Sequence, residues 1–351
     1  MTREEVLRAA SELAIIKNED LSGLDLSRAD LSGARFFSCS LQGANLAGSE
    51  LGKVYFKDCD LSAVNLEDTR LEKVNFSNMR FAGAKMSGTV FHKSMLNRAD
   101  FSHADMRGCE ISWSFAREAD LSKACLKGGK LYKSVLSKAK LLDADLSEAS
   151  LERVVLNEAE LKGVLFIKTH FKKVLIRDCE LPGYDFSGVN FLQVQANRAN
   201  LEGADFSGSD LSMCNFSGAN LSQAKFRDAK AQNCMLTAAQ LFRTDFSGCN
   251  LQQSNLAGSV GRQACFQGAS LVHCLFKEAE LSGALIADAS CQHADFSHAN
   301  LQGVNFSRSN LYRARMHKAQ DENANYNGAM TQMMRGTDKE LEEAENWRPA
   351  V

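Results

Sequence analysis

A bulky apolar residue returns at every fifth position of the chain. The series opens Leu21, Leu26, Leu31, Phe36, Leu41 and is still in phase at Phe296, Leu301, Phe306, Leu311 and Met316. Between Leu21 and Tyr326 the bulky slot is given up only at Ala116, Ala196, Ala231, Gly261, Cys291 and Asp321. A helix repeats its faces every ~3.6 residues and a flat strand every ~2, so neither keeps a five-residue beat in phase for so long. A tandem repeat of this regularity predicts a solenoid. Two residues before each bulky position stands a small one, as in Ala29, Ala34, Cys39, Ala44 and Ser49. Residues i and i−2 of an extended segment point the same way, so both line the interior, and large alternates with small as close packing requires. The other three slots are polar or Gly, which places them at the surface and in the turns.

The quintets Ala29-Asp30-Leu31-Ser32-Gly33, Ala199-Asn200-Leu201-Glu202-Gly203 and Ala299-Asn300-Leu301-Gln302-Gly303 resemble the pentapeptide-repeat family, whose consensus reads A(D/N)LXX. The resemblance runs from about residue 20 to 330 and rests on dozens of tandem copies, which makes it specific. It implies an all-β solenoid: a right-handed, four-sided (quadrilateral) parallel β-helix with four repeats per coil, about 15 coils in all. The residues support the twenty-residue coil independently. Phe166, Phe186, Phe206, Phe226, Phe246 and Phe266 are spaced by twenty, and Phe36, Phe56 and Phe76 begin a second such column. Stacked rings one strand spacing apart form a favourable ladder.

The expected organisation is an N-terminal capping helix over 1–19, the repeat over 20–330, and a C-terminal acidic helix or tail over 331–351. Thr2-Arg3-Glu4-Glu5 has the form of a capping box, followed by Val6, Leu7, Ala10, Leu13 and Ala14 at helical spacing. A helix there would cover the open edge of the first coil. Asp338 to Glu345 reads as a short acidic helix followed by Trp347. In relatives such an element covers the last coil or pairs two chains end to end.

Composition narrows the function. Net charge is −2, only Pro182 and Pro349 occur, and no apolar run reaches the length of a membrane span. The first residues lack the layout of a signal peptide, so a cytoplasmic location is expected, with export by another route left open. Eight of the eleven cysteines occupy the small inward slot, where they act as Ala-sized hydrophobes in a reducing compartment. Cys125 and Cys265 take outward slots.

A filled β-helix has no interior pocket, and all seven histidines fall in outward slots, so no catalytic residue, no cofactor site and no metal site is expected. The nearest approach to a metal pair is His273 with His293, whose column continues only to Gln253 and Arg313. The lysines at 123, 127, 130, 133, 138 and 140 scatter over all four sides as a belt, so no nucleic-acid binding is expected.

Sorting by face singles out one surface. The slot before the bulky residue is mostly polar, but the column that starts at Arg35 continues Tyr55, Asn75, Met95, Phe115, Val135, Val155 and Leu175. Trp113 and Tyr132 lie at the corner leading into it. A contiguous exposed apolar strip with aromatics is the mark of a protein-binding surface, with a homodimer seam and plain cross-strand stacking as alternatives. The expected function is therefore a non-catalytic interaction scaffold of a bacterium. Its candidate site comprises Tyr55, Met95, Trp113, Phe115, Tyr132, Val135, Val155 and Leu175, and its partner is a protein or a second copy. The resemblance offers two alternatives: an accessory or effector of a secretion system, and a DNA mimic that binds gyrase or topoisomerase. The balanced charge speaks against mimicry.

Overall fold

The computed structural model describes residues 1–347, so Pro349 and the last four positions of the expected tail lie outside the described residues. The chain divides into two compact units, Met1–Glu180 and Leu181–Val351. Each is a right-handed, four-sided parallel β-helix whose backbone pairs with itself twenty residues on. In the first unit β1 (Ile15–Lys17), β2 (Arg35–Phe37) and β3 (Tyr55–Lys57) form one parallel ladder. On another face β4 (Arg70–Glu72), β5 (Val90–His92), β6 (Glu110–Ser112), β7 (Lys130–Tyr132), β8 (Ser150–Glu152) and β9 (His170–Lys172) form a second. The second unit carries β10 (Asn190–Leu192) and otherwise pairs through single bridges, again in steps of twenty. Such bridges run as far as Arg315–Arg335 in the second unit, and β1 starts at Ile15 in the first, so the pairing in each unit reaches past its end of the apolar beat.

The five slots have distinct physical jobs. The bulky and small residues are buried, as the alternation requires. The Asp or Asn before the bulky residue turns its Oδ1 to accept the amide two positions on, as in Asp20 to Ser22 (3.0 Å), Asn65 to Glu67 (3.0 Å) and Asp205 to Ser207 (2.9 Å). This Asx turn satisfies a backbone donor that the corner would leave bare. The second residue after the bulky one has positive φ near 55° even where it is Lys, Asp or Arg, and Gly takes the same place elsewhere. A type II turn demands that conformation, which is why Gly recurs there.

Corners come in two classes. In most, the small residue's amide bonds back to the preceding bulky carbonyl, as from Ala29 to Leu26 (3.3 Å) and Ser49 to Leu46 (3.1 Å). At the corners that follow β5 and β6 a side chain on the next coil replaces that carbonyl. The Ser94 amide donates to Ser114 Oγ (3.0 Å) and the Ser114 amide to Ser134 Oγ (3.3 Å), while Ser134 Oγ–H donates to the Ile111 carbonyl (2.9 Å). Ser114→Ala should therefore orphan a buried amide and cost about 1–3 kcal/mol in chemical denaturation. Ser49→Ala should cost less, since the amide one coil before it, that of Ala29, bonds to the Leu26 carbonyl and does not depend on the Ser49 hydroxyl; equal losses would contradict this division of corners.

Rings stack as the twenty-residue spacing implies. Within the second unit Phe206 lies 5.2 Å from Phe186 and 5.0 Å from Phe226, and Phe246 lies 4.9 Å from Phe266. In the first unit Phe36 and Phe56 stack at 5.0 Å, but Phe76 turns edge-on to Phe56 at 60°. Tyr184, too large for its small slot, is half-buried and lies against Phe186 at 5.8 Å. Gly261 leaves its bulky slot to a neighbour: a Cβ there would stand 2.9 Å from Leu281 Cδ2.

Helix α1 (Arg3–Ser11) starts with the Thr2/Glu5 capping box and buries Val6 and Ala10. The Arg3 guanidinium donates to the carbonyls of Asp25 (2.6 Å) and Ser27 (2.8 Å), satisfying acceptors on the open edge of the first coil. Helix α2 (Lys339–Asn346) behaves otherwise. It buries none of its residues and rests against the flank of the second unit, while Asp321 at the last turns stays exposed. The acidic stretch is too polar to replace the apolar contacts that would close an end.

Candidate functional site

The first unit carries the apolar strip. Met95, Phe115, Val135, Val155 and Leu175 occupy five successive rungs, joined by parallel bridges, so their side chains stand about 4.8 Å apart along one face. Phe115 is 48% exposed while the adjoining Ala116 is 3% exposed, which fixes the ring outside and the core inside. Met95 is exposed, and Val135, Val155 and Leu175 are half-buried. Tyr55 is exposed too, but Asn75 separates it from Met95, and its ring leans on Phe37 at 5.6 Å. Trp113 and Tyr132 meet edge to face at 6.2 Å at the corner, with Lys133 Nζ 3.9 Å from the Trp113 ring centroid and 5.0 Å from that of Tyr132. Of the eight candidates, five form an unbroken row, two form a cation–π cluster beside it, and Tyr55 stands apart.

An apolar residue in this slot gives up the Asx turn that Asp or Asn supplies elsewhere. The structure shows how the loss is made good at two rungs. Asn97 Oδ1 accepts the amide of Arg117 (3.0 Å), and Asn157 Oδ1 accepts that of Arg177 (3.1 Å), each from the coil before. These asparagines let Phe115 and Leu175 be apolar without stranding a donor, and sequence periodicity alone does not single them out. In the second unit the same slot reads Gln195, Asn215, Met235, Asn255, Leu275 and Asp295, so exposed Met235 and Leu275 are parted by polar rungs.

A second cluster, also unforeseen from sequence, lies under α2. His298, His317 and Glu345 bring three potential ligand atoms within 4.8 Å of one another. Although it holds an outward slot, His317 is only 5% exposed, because α2 covers it. Its Nδ1 accepts the Asp338 amide (3.0 Å), so the neutral ring carries its proton on Nε2, which faces Glu345 Oε2 at 3.3 Å. An Nε2 that donates has no lone pair for a metal. Lys318 Nζ already stands 3.0 Å from the same carboxylate oxygen. The donor set fits a clasp that holds α2, not a metal centre. Sequence spacing does not reveal it because Glu345 lies 28 residues from His317. The pair that spacing does bring together, His273 and His293, stacks face to face at 4.8 Å, which turns ring faces and not nitrogens toward each other.

The Lys318 hydrogen bond, with help from His317 and His298, pulls the Glu345 carboxyl down to about 2. A carboxylate held below its unfolded value stabilises the docked helix fully above pH ~4.5 and loses that contribution as pH falls toward 2. The α2 amide resonances should move to coil positions across that window, and Glu345→Gln should show coil positions already at pH 7. Unchanged shifts down to pH 2 would contradict the clasp. The cysteines offer no comparable chemistry: burial pushes the thiols of Cys109 and Cys274 up to about 12, and Cys125 and Cys265 are half-buried.

Among the described residues no helix is long and apolar enough to cross a membrane. Comparison with curated proteins finds no match. Among solved structures the chain is similar to HetL, a pentapeptide repeat protein involved in heterocyst differentiation regulation from the cyanobacterium Nostoc sp. strain PCC 7120. The identity is 22% over 76% of this chain and 87% of that one, with a TM-score of 0.31. A pentapeptide repeat protein from the Arabidopsis thaliana thylakoid lumen is 36% identical over 27% of this chain and 62% of its own, with a TM-score of 0.24. QnrB1, a plasmid-mediated fluoroquinolone resistance protein, is 15% identical over 80% and 99% respectively, with a TM-score of 0.18. The family model of pentapeptide repeats in eight copies matches residues 14–43, 39–78, 80–112, 117–153, 144–183 and 289–320, and that of the pentapeptide repeat region matches 176–256 and 209–286. With more than half of its length under those matches and the twenty-residue register in both units, the chain belongs to the pentapeptide repeat family.

Proposed function

We propose that the protein is a non-catalytic interaction scaffold that binds a protein partner through the strip from Met95 to Leu175. One observation carries this reading: five consecutive rungs of one face present apolar side chains in a slot that is mostly polar elsewhere and often holds a turn-capping Asp or Asn. Apolar area concentrated on one face, with an aromatic at its centre, is what a binding patch needs. A second copy is the other occupant that a flat parallel face suits, since a self-complementary strip closes a twofold dimer. A DNA-like surface for gyrase is disfavoured, because 41 basic residues nearly balance 43 acidic ones.

The test is affinity capture from bacterial lysate, wild type against Met95→Asp/Phe115→Asp, with sedimentation of both proteins alongside. The reading expects a partner, or a dimer, that is present with wild type and lost with the variant. Identical eluates and identical sedimentation would remove the strip from consideration.

A further inference from the structure

The strip has a charged companion that the linear order of the lysines conceals. Two residues before each strip position, at the corner, stand Lys53, Lys73, Lys93, Lys133, Arg153 and Lys173, spaced by twenty and interrupted only by Trp113. All have φ between 48° and 56°, so the left-handed corner turns each side chain out beside the strip. The cationic row runs parallel to the apolar row, about 7 Å from it in Cα position, and spans about 29 Å over six coil spacings.

Apart from Lys73, which pairs with Glu72 (3.7 Å), this positive charge is not neutralised locally. Three carboxylates around the face hold partners outside the row: Glu152 with Lys172 (3.2 Å), Glu118 with Arg98 (2.8 Å) and Glu158 with Lys138 (3.4 Å). Lys133 lies over the Trp113 ring. Among the described residues no carboxylate comes within 4.0 Å of Lys53, Lys93, Arg153 or Lys173, nor of Arg117 and Arg177 on the far side of the strip. The face therefore presents an apolar rail beside a row of cations of which, among the described residues, only Lys73 has a carboxylate partner.

We infer that this face takes an acidic amphipathic helix lying along the coil axis, with carboxylates over the cationic row and apolar side chains over the strip. The inference rests on the strip being the binding surface and adds the chemistry of its occupant. The spacing supports a helix: one turn advances 5.4 Å against about 4.8 Å per rung, so side chains at i and i+3 or i+4 meet successive rungs for three or four turns. Two stripes about 7 Å apart fit side by side on one helix face. A nucleic-acid strand fits less well, since the aromatics are not laid in one track for base stacking.

The probe is a fluorescently labelled 22-residue helical peptide with a leucine stripe beside a glutamate stripe, and a control in which lysine replaces glutamate. Binding is read by anisotropy against wild type, the strip variant Met95→Asp/Phe115→Asp, and the charge variant Lys93→Glu/Arg153→Glu/Lys173→Glu. Circular dichroism checks that both variants keep the fold. The glutamate peptide should bind wild type at least tenfold more tightly than the lysine peptide and weaken as salt rises. The charge variant should lose at least tenfold and most of its salt dependence, and the strip variant should also lose binding. Loss with the strip variant but not with the charge variant would overturn the acidic helix and leave the strip as a binding surface. No loss with either variant would sink both readings. The acidic helix is likewise overturned if the glutamate peptide fails to bind, if the lysine peptide binds equally well, or if a 20-nucleotide single strand or phosphatidylserine vesicles bind in its place.

Discussion

Phe206→Asp is expected to unfold the central coils of the second unit. The ring is fully buried, stacks between Phe186 at 5.2 Å and Phe226 at 5.0 Å, and meets Phe191 and Phe216 edge-on at 5.7 and 5.9 Å. Truncating such a ring costs about 3–5 kcal/mol. Burying an unpaired carboxylate in its place adds several more, against a net stability on the order of 5–15 kcal/mol for an ordinary domain. Each coil pairs with the coils on either side, so a broken rung also exposes the edges of its neighbours. Circular dichroism should show loss of β signal or a melting transition lowered by tens of degrees. A melting curve like that of the wild type would mean that the Phe column is not the core.

The same substitution at Phe115 should do the opposite. There the ring is outside, and the rung is held by the backbone bond from the Phe115 amide to the Ser94 carbonyl (3.0 Å), whatever the side chain. Phe115→Asp should leave the fold intact, with a stability change of about 0.5 kcal/mol as for other surface positions. Binding to the strip's partner, or to a second copy, should fall by about thirtyfold or more, the loss typical of a central aromatic anchor. If Phe115→Asp lowers the melting transition as much as Phe206→Asp, the residue is packing and not surface.

These two phenylalanines show what a five-residue beat makes legible. One sits in the bulky slot and one just before it, and the slot alone decides inside from outside. The twenty-residue register likewise suffices to place Met95, Phe115 and Val135 on successive rungs. What escaped were contacts that depend on which residues meet across coils. Taken in chain order, the lysines between 123 and 140 scatter around the coil, and only sorting by corner aligns Lys133 with Lys93, Arg153 and Lys173. Asn97 and Asn157 resemble any other outward polar residue, although their Oδ1 atoms cap the next coil. His317 occupies an outward slot, and no periodicity announces that α2 folds back to cover it. Nor does acidity at 338–345 reveal a helix held on a flank by a lysine and two histidines instead of closing an end.

The most direct test of the strip as the binding surface is hydroxyl-radical footprinting of wild-type protein, free and bound to the partner retained in the capture experiment or at dimer-forming concentration. Met95, Phe115 and Trp113 are oxidisable and exposed in the free unit, so each should be modified readily alone and protected several-fold in the complex. Met235, on the same slot of the second unit, should be modified equally in both states. If Met95, Phe115 and Trp113 stay as reactive in the complex as in the free protein while protection falls elsewhere, the strip is not where this protein meets its partner.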